Sequence, residues 1–413
     1  MTKAEKNKEV QGDLIVVGGG VAGLTLTKLM GDIGLHVHLV EPYPPEAFSD
    51  TQASGRTVAL MQASLNILKA AGLEDFCTEY GTPLNMMRLY DDSVPGQKPV
   101  ISEFDAFDIG LDHFGLNIPN SLLRATLYEG IQTSKAVTVH QDSLSRFNVD
   151  AHEVYAHLES GTTLRAPLII GADGRSSVVR DGAGIQVQKR VYDQSALTFI
   201  MNHSRSHDNI STEFHRPGGP FALVPMRGNQ CSVVWVEKTA DAESLMRLPK
   251  DAFENALQKA TNNVLGGVSL ETSPKSWPLC AIKAKDLIAP RTALIAEAAH
   301  VMSPITAQGL NLSLRDVASL TEELVHAARV GSDLGSAAIL KRYARRRSLD
   351  IGTRFAGVNG LNQIVSNDLL PIKDLRRTGL KMMDRFLPLK LGAMKLGLAP
   401  AFDQGPLARG EAL

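Results

Sequence analysis

The segment from Asp13 to Pro42 constrains the fold of this chain more than any other. It reads DLIVVGGGVAGLTLTKLMGDIGLHVHLVEP. Leu14–Val17 and Val37–Val40 are short apolar runs rich in β-branched residues, which predicts strands, and Val21–Met30 between them has helical character. Strand, helix and strand at this spacing predict a βαβ unit of a parallel sheet.

The turn after the first strand has the G-x-G-x-x-G spacing, at Gly18, Gly20 and Gly23, and Glu41 ends the second strand. Each residue has a physical use in binding a dinucleotide. Gly18 allows a tight turn, Gly20 lets a pyrophosphate reach the backbone, and Gly23 lets helix and strand approach closely. Glu41 can accept hydrogen bonds from ribose hydroxyls. The segment therefore predicts a dinucleotide-binding domain.

Composition excludes several other classes of protein. The 413 residues carry a formal net charge of -1, which gives no general attraction to nucleic acid. Cys77, Cys231 and Cys280 are widely separated, so we expect reduced thiols and neither a disulfide framework nor a zinc site. The N-terminus lacks the apolar core of a signal peptide, and no apolar run is long enough to span a bilayer. We expect a cytoplasmic protein, with peripheral contact to the inner face of the membrane left open.

Two further segments have the character of a strand that runs through a turn into a helix. LRAPLIIGADGRSSVVR, at 164–180, contains Asp173 in an Asp-Gly turn, and RTALIAEAAHVMSPITAQGLNLSLRDVASL, at 291–320, contains a lone acid, Glu297. Apolar spacing predicts that a helix begins near Gln308. No second glycine fingerprint occurs, so a separate nicotinamide domain is not expected.

These three motifs, with SGRTVAL at 54–60, resemble the single-component flavin-dependent aromatic hydroxylases. Within that family, YDQSALTF at 192–199, EFHRPGGPFALVPM at 213–226, YARRRSLD at 343–350 and GLNQIVSNDLLPIKDLRRTGL at 360–380 are similar to the ubiquinone-biosynthesis hydroxylases. The resemblance covers about residues 13 to 399.

The resemblance implies an α/β fold with a Rossmann-like FAD-binding domain, an antiparallel-sheet substrate domain and a C-terminal helical region. The implied boundaries are 1–185 for the FAD domain, in which 75–115 partly contributes to the substrate side, 186–284 for the β-rich substrate domain, 285–345 for the rest of the FAD domain, and 346–413 for the helical region. Phe221, Leu223, Pro225 and Trp235 could line the substrate pocket or belong to the core of the sheet.

The resemblance also implies the chemistry. FAD is reduced by NAD(P)H or a redox partner, O₂ forms a C4a-hydroperoxyflavin, and one oxygen atom passes to the ring of a polyprenylphenol in ubiquinone biosynthesis. No metal constellation is present and no side chain is assigned as catalytic. A flavin-dependent reductase on the same fold remains an alternative, as does a redox-inactive lipid-binding partner of other quinone-biosynthesis proteins. Nucleic acid is not an expected partner.

The positions implied to hold the cofactor are Gly18, Gly20, Ala22, Gly23, Glu41, Arg56, Asn120, Asp173, Glu297, Gly309, Leu310 and Asn311, and those beside the ring are Pro304, Gln308 and Gly309. Free backbone amides at the start of the helix that begins near Gln308 would face the electron-rich N1/O2 edge of the flavin. Other readings stay open for three positions: Arg56 as a solvated arginine, Asn120 as a helix cap and Asp173 as a turn residue.

Two positions depart from the family pattern. Ala296-Glu297 replaces Gly-Asp, and we expect Glu297 to take the ribityl hydroxyl that the Asp accepts in relatives. The methyl of Ala296 is expected to crowd the ribityl chain, which costs about 1–3 kcal/mol when nothing relaxes. Ser303 stands where relatives commonly have His or Asn.

The C-terminal segment 371–399 has a local excess of positive charge. Seven basic residues, interleaved with Leu, Met and Phe386, face only Asp374 and Asp384. This composition is typical of a helix that lies on an anionic membrane surface, and an amphipathic helix packed on the protein body is the alternative.

Overall fold

The computed structural model describes residues 9–45, 56–94, 96–303, 308–366, 369–398 and 405–412. Its strands are, in chain order, β1 (Glu9–Gln11), β2 (Leu14–Val17), β3 (Val37–Val40), β4 (Thr57–Met61), β5 (Thr82–Pro83), β6 (Met86–Asp91), β7 (Val100–Asp105), β8 (Gly115–Pro119), β9 (Val137–His140), β10 (Leu144–Val149), β11 (Val154–Leu158), β12 (Thr163–Ala166), β13 (Ile169–Gly171), β14 (Val187–His203), β15 (Ile210–His215), β16 (Pro220–Met226), β17 (Gln230–Glu237), β18 (Val268–Leu270), β19 (Lys275–Ala284), β20 (Ile288–Ala289), β21 (Thr292–Leu294) and β22 (His300–Val301).

The helices of the same residues are α1 (Val21–Asp32), α2 (Gln62–Ala70), α3 (Glu74–Tyr80), α4 (Asn120–Gln132), α5 (Val178–Gly182), α6 (Thr239–Met246), α7 (Lys250–Ala260), α8 (Ala296–Ala299), α9 (Gln308–Arg329), α10 (Ala337–Val365), α11 (Leu370–Arg385), α12 (Leu387–Leu398) and α13 (Pro406–Arg409). A short 3₁₀ helix occupies Ala106–Ile109.

A six-stranded sheet in the order β20-β21-β13-β2-β3-β9 forms the frame of the first domain. All of its neighbouring pairs are parallel except β20 with β21. Every residue of β2 and β3 is buried, as expected for strands of a parallel sheet that is covered on both faces. α1 contacts α4 and α9 on one side of this sheet. The strands of this sheet come from distant parts of the chain. A smaller sheet, β4-β8-β5, contacts α2 and α4.

A nine-stranded sheet, β22-β19-β14-β17-β16-β15-β6-β7 with β18 beside β14, forms the second layer. It is antiparallel apart from the β15–β6 pair, and β6 and β7 bring residues from before position 115 into it. The α/β fold class with an antiparallel substrate sheet is confirmed.

The two faces of this sheet differ. On the covered face, Phe199, Phe221, Leu223 and Trp235 pack with Phe253 of α7 in a closed apolar core. Three of the four candidate pocket residues therefore belong to sheet core. The fourth, Pro225, is buried at the end of β16, where its carbonyl accepts a hydrogen bond from Nδ2 of Asn117, 2.8 Å away.

The opposite, open face carries Ala196, Glu213, His215, Ala222, Val224 and Val234, as strand alternation and register require. Ala222, Val224 and Val234 are only partly buried although they lie on inner strands. Apolar side chains on inner strands remain accessible only where no layer packs directly on them. This face therefore borders a cleft.

The C-terminal helices close one end of the open face. α10 is continuous through the expected boundary at 345/346, so the helical region begins inside a helix shared with the FAD domain. α11 packs on β7, and the fully buried Asp91 at the end of the neighbouring β6 accepts a hydrogen bond from Nε of Arg376 at 2.6 Å. Arg377 donates to the carbonyl of Asp91, 2.9 Å away.

This contact supports the second interpretation of the basic C-terminal segment, an amphipathic helix packed on the protein body. Lys373, Arg376 and Arg377 are buried, and Lys390 pairs with Asp108 at 3.3 Å. Of the seven basic side chains, those exposed to solvent are Lys381, Arg385 and Lys395. Four of the seven basic side chains are therefore buried or paired where α11 and α12 pack on the body of the protein.

Replacing Asp91 with Asn tests this fastening. Burial alone would raise the pKa of Asp91, but hydrogen bonds from Arg376 and Ser93 outweigh it and hold that pKa below its ordinary value of 3.8. A depressed carboxyl pKa stabilises the fold above the unfolded-state pKa, and this stabilisation is lost as pH falls through the folded-state pKa. We expect Asp91→Asn to lower the free energy of unfolding by about 3–5 kcal/mol at pH 7, because buried guanidinium charge is left uncompensated.

Urea unfolding at a series of pH values measures the effect. The difference between wild type and variant should be constant from about pH 8 to 5 and should shrink below about pH 4. Asp32→Asn is the control, since Asp32 forms an exposed pair with Lys28 and should cost less than about 1 kcal/mol. An effect of Asp91→Asn as small as this control would contradict the assigned role of the contact.

Candidate functional site

A crevice of about 400 Å³ lies at the carboxyl ends of β2, β3 and β13. Its walls come from the first two sequence motifs and α4, and they include Val17, Gly18, Gly20, Val40, Glu41, Arg124, Ala172, Asp173 and Gly174. Ligands of open parallel sheets bind at this edge, where the N-terminus of the following helix favours negative charge. The structure thus brings the glycine fingerprint and the Asp-Gly turn to one place.

The three glycines of the fingerprint do different things. Gly18 has φ +109°, and a Cβ there would lie 2.3 Å from the carbonyl oxygen of Ala172. A Cβ on Gly23 would lie 2.0 Å from the carbonyl oxygen of Gly18, so both positions are closed by the protein itself. A Cβ on Gly20 would meet nothing within 4 Å, although Gly20 is the N-cap of α1. Gly20 therefore opens toward the crevice, where a pyrophosphate would approach. Ala22 is buried in the first turn of α1.

Glu41 is held at the end of β3 by the backbone of its own loop and of the glycine turn. Its carboxylate accepts hydrogen bonds from the amides of Gly19 and Tyr43, the latter at 2.8 Å. These contacts fix the side chain at the wall of the crevice. The lone pairs that remain on its two oxygens suit ribose hydroxyls, which are hydrogen-bond donors.

Arg124 is a wall residue that the sequence analysis missed. Its Nε donates to the carbonyl of Gly19 and its Nη2 to the carbonyl of Tyr43, each at 2.7 Å, and Nη2 lies 3.5 Å from Glu41. Asn120, which was named instead, is the first residue of α4 and donates its backbone amide to the carbonyl of Arg56. Arg124 follows Asn120 by four residues, one helical turn, so a helical projection of LLRATL could have found it.

Asp173 lies at the wall of the crevice and also forms hydrogen bonds within its own turn. It lines the crevice, yet its carboxylate accepts hydrogen bonds from the hydroxyl of Ser177 and from the amide of Val179 at 3.1 Å. Burial raises the pKa of this carboxyl, and the hydrogen bonds oppose the shift. The side chain thus shapes the turn that precedes α5.

Glu297, which was expected to accept a hydrogen bond from the ribityl chain, forms an ion pair within the protein. Its side chain is 46% exposed and pairs with Nε of Arg175 at 3.1 Å. Arg56 lies close to both, with its guanidinium 5.0 Å from the ring centre of Trp277. Burial lowers the pKa of Arg56, and the Glu297 carboxylate opposes that shift. The acid therefore belongs to a charged cluster with Arg175 and Arg56.

The backbone of Ala296 has a conformation that favours glycine. Its φ of +55° lies in the left-handed region, where a Cβ costs about 1–2 kcal/mol. This free-energy cost comes from the backbone conformation of Ala296 itself. The expected crowding of the ribityl chain would be a second, independent cost and stays a prediction. Its amide donates to Oδ2 of Asp316 at 3.0 Å, and this buried contact holds the turn.

The start of α9 is also held by side chains. Asn311 accepts hydrogen bonds from the amide of Met61 and the hydroxyl of Ser64, and donates to the carbonyl of Ala59. Oε1 of Gln308 accepts from Arg354 at 2.8 Å. A Cβ on Gly309 would meet nothing within 4 Å, so the backbone of Gly309 and the partly buried Leu310 is open to a flat ligand. Pro304 and Ala307 lie outside the described residues.

These observations fit FAD. Gly20 and Gly309 each open toward free space at the start of a helix, and the buried hydroxyl of Ser303 has no hydrogen-bond partner in the described part of the chain. A family profile described as FAD binding domain matches residues 11–353. Ubiquinone hydroxylase UbiL of Rhodospirillum rubrum is 34% identical over 94% of this chain and 91% of its own length. The chain belongs to the FAD-dependent hydroxylases of ubiquinone biosynthesis.

A second sequence relative agrees with this assignment, and two solved structures share the fold. The 3-demethoxyubiquinol 3-hydroxylase of Escherichia coli is 29% identical over 94% of this chain and 98% of its own. p-Nitrophenol 4-monooxygenase PnpA of Pseudomonas putida superposes with a TM-score of 0.79 at 16% identity, covering 96% of this chain and 100% of that one. A variant of Klebsiella pneumoniae HpxO complexed with FAD gives 0.74 at 16% identity, covering 94% and 98%. As a member of this family the protein is an FAD-dependent aromatic-ring monooxygenase that uses NAD(P)H and O₂, and the family prediction is confirmed.

Replacing Ala296 with Gly tests whether the departure from the family is a matter of backbone strain. We expect the free energy of unfolding of the FAD-free protein to rise by up to about 1 kcal/mol, because relief of the left-handed strain exceeds the entropy cost of glycine. Urea unfolding measures this change. Ala298→Gly, in the same short helix but without a positive φ, should lose about 1 kcal/mol instead. Equal losses in both variants would contradict the strain assignment.

Proposed function

We propose that this protein hydroxylates the aromatic ring of a polyprenylated phenol in ubiquinone biosynthesis. The observation that carries the proposal is the apolar cleft on the open face of the nine-stranded sheet, next to the turn suited to the flavin ring. β22, which follows α8 and precedes that turn in the chain, pairs with β19 of the sheet. Asn117 of β8 and Pro225 of β16 make a second direct bond between the layers.

The lining of the cleft suits an aromatic ring with a hydrocarbon tail. Ala222, Val224 and Val234 are its partly buried apolar residues on the inner strands, and Met87 and Leu89 of β6 continue the surface toward α11 and α12. Methionine side chains adapt to irregular apolar ligands. Ligand sites of this kind are mostly apolar with a few polar groups that set orientation.

The chemistry divides between cofactor and protein. Bound FAD, reduced by NAD(P)H, supplies an electrophilic oxygen atom derived from O₂. The Gly20 turn and Glu41 would hold the dinucleotide, and the amides at the start of α9 would stabilise negative charge on the bound flavin. The two layers exclude water from the cleft between them, which protects a reactive oxygen donor from side reactions.

An assay of the purified protein tests the proposal. We expect a yellow protein that releases FAD on denaturation and that consumes NAD(P)H and O₂ when a polyprenylphenol is added. Mass spectrometry should detect a product heavier by one oxygen atom, with the added atom derived from ¹⁸O₂. A matched control is the same phenol after O-methylation, which cannot form a phenolate and should react far more slowly. Substrate turnover without O₂ would instead indicate a flavin-dependent reductase, and a protein that cannot be loaded with FAD would indicate a redox-inactive partner.

We also propose that α11 and α12 contact the membrane in which such a substrate resides. No helix in the described part of the chain is long and apolar enough to cross a bilayer. Seven apolar side chains at this surface are each 49–73% exposed, namely Leu369, Leu370, Leu375, Met382, Phe386, Leu387 and Leu389. Clustered exposed apolar residues of this kind mark interaction sites. Because four of the seven basic side chains here are buried or paired with the protein body, the attraction rests mainly on apolar contact.

Co-sedimentation with vesicles tests this surface. We expect binding to neutral phosphatidylcholine vesicles, and Leu375→Glu combined with Phe386→Glu should weaken it at least tenfold, since burying one such side chain is worth about 1.5–3 kcal/mol. Lys381→Gln, Arg385→Gln and Lys395→Gln together should change it little. Val330→Glu, at an exposed apolar residue just after α9, is the control. Binding that requires anionic lipid and disappears in high salt would contradict the apolar basis of this contact.

A further inference from the structure

β15 carries two polar residues on the face of the sheet that borders the cleft. Phe214 of this strand points to the covered face, where its ring lies 4.9 Å from that of Tyr90 and 5.6 Å from that of Phe221, measured between centroids. Strand alternation therefore places Glu213 and His215 on the open face. Glu213 stands in register with Ala222 and Leu89, two partly buried residues of the cleft.

Glu213 and His215 are paired with each other. Nε2 of His215 lies 3.0 Å from Oε1 of Glu213, and the two side chains are 5% and 18% exposed. A carboxylate can only accept a hydrogen bond, so Nε2 carries the hydrogen in this pair. The lone pair of a neutral His215 ring is therefore on Nδ1.

Nδ1 of His215 is buried and has no hydrogen-bond partner among the described residues. A buried acceptor without a donor is costly and uncommon in folded proteins. The charged groups nearest along the same face do not supply a donor. Asp91, in register with His215, is already bound to Arg376 and Ser93, and Arg377 donates to backbone carbonyls. The orphaned nitrogen is thus suited to a donor that a ligand brings.

We propose that His215, oriented by Glu213, accepts the phenolic proton of the substrate. This assignment rests on the proposed function, which places a phenol in the cleft. The O–H bond of the phenol breaks, its electron pair stays on oxygen as phenolate, and the proton forms the Nδ1–H bond of an imidazolium that Glu213 stabilises. Phenolate pushes electron density to the ortho and para carbons, and this makes the ring a better nucleophile toward an electrophilic oxygen atom. The proton returns to the oxygen of the hydroxylated product, so His215 is neutral and Glu213 is ionised both before and after turnover.

Ligand affinity separates this role from a structural one. With FAD-loaded protein, we expect a short-tailed prenylphenol to bind at least tenfold more tightly than its O-methyl ether, because only the phenol offers a donor to Nδ1. His215→Gln should abolish most of this preference while the affinity for the ether stays the same. The turnover number with the phenol should fall by about 10²–10⁴-fold, the usual contribution of a general base.

Two further variants keep the test decisive. Glu213→Gln retains a hydrogen-bond acceptor for Nε2 but not the negative charge, so it should bind both ligands normally and lose turnover. His203→Gln is the control, since His203 is a buried histidine of β14 whose ring nitrogens lie 2.8 Å from the Arg205 carbonyl and 3.5 Å from the Cys231 sulfur. It should leave the preference for the phenol intact.

The failures of the two proposals are distinguishable. Hydroxylation of the phenol by wild type together with an unchanged preference in His215→Gln would overturn the role of His215 and leave the proposed function standing. Binding of neither ligand by wild type would overturn the substrate class and, with it, this role. If His215→Gln does not fold, normal turnover in Glu213→Gln would overturn the proposal.

Discussion

The buried carboxylate of Asp316 is the contact on which the cofactor side of the structure depends. Asp316 lies on α9 and is fully buried, and it accepts hydrogen bonds from Nε2 of His300 at 2.6 Å, Nε of Arg347 at 2.7 Å and the amide of Ala296 at 3.0 Å. Burial would raise the pKa of Asp316, but the neighbouring His300 and Arg347 outweigh it and hold that pKa below its ordinary value. One ionised side chain thus ties the turn before α8, the start of β22 and α10 to α9.

The network continues from Asp316 to the position suited to the flavin ring. Arg347 also binds Asp350, which in turn lies 3.2 Å from Arg315 and from Arg354. Arg354 then donates to Oε1 of Gln308 at the first turn of α9. Burial lowers the pKa of Arg315 to about 9, with Asp350 opposing the shift. Such a chain of paired charges is stable only when each member keeps its partners, and so it fixes the relative positions of the two helices and the turn.

The sequence predicted the local parts of this arrangement well. The strands Leu14–Val17 and Val37–Val40 and the beginning of a helix at Gln308 agree with the structure. Glycine spacing also identified the turn at the crevice, because Gly18 adopts a positive φ and Gly23 packs against Gly18. Apolar periodicity and turn chemistry are local properties, and they are readable without knowing the rest of the fold.

What could not be predicted depends on contacts between distant residues. Arg376 and Arg377 look like surface charges until Asp91, nearly three hundred residues earlier, is placed beneath them. The left-handed backbone of Ala296 is likewise set by the hydrogen bond to Asp316, twenty residues away. Trp235 and Phe221 are residue types that commonly line ligand pockets. Only the position of α7 shows that they face away from the cleft. In each case the partner that decides the contact lies elsewhere in the chain, and the sequence pattern does not identify it.

The asymmetry of the nine-stranded sheet links the fold to its chemistry. Its covered face has Phe, Trp and Leu packed against α6 and α7, so the strands can be anchored entirely from that side. The open face is then released from the need to form a core, and small residues such as Ala222 and Val234 leave room above it. A buried histidine with an unpartnered nitrogen is tolerable there, because the covered face supplies the stability that this polar group costs. A sheet that packs on one side only can therefore devote its other side to binding.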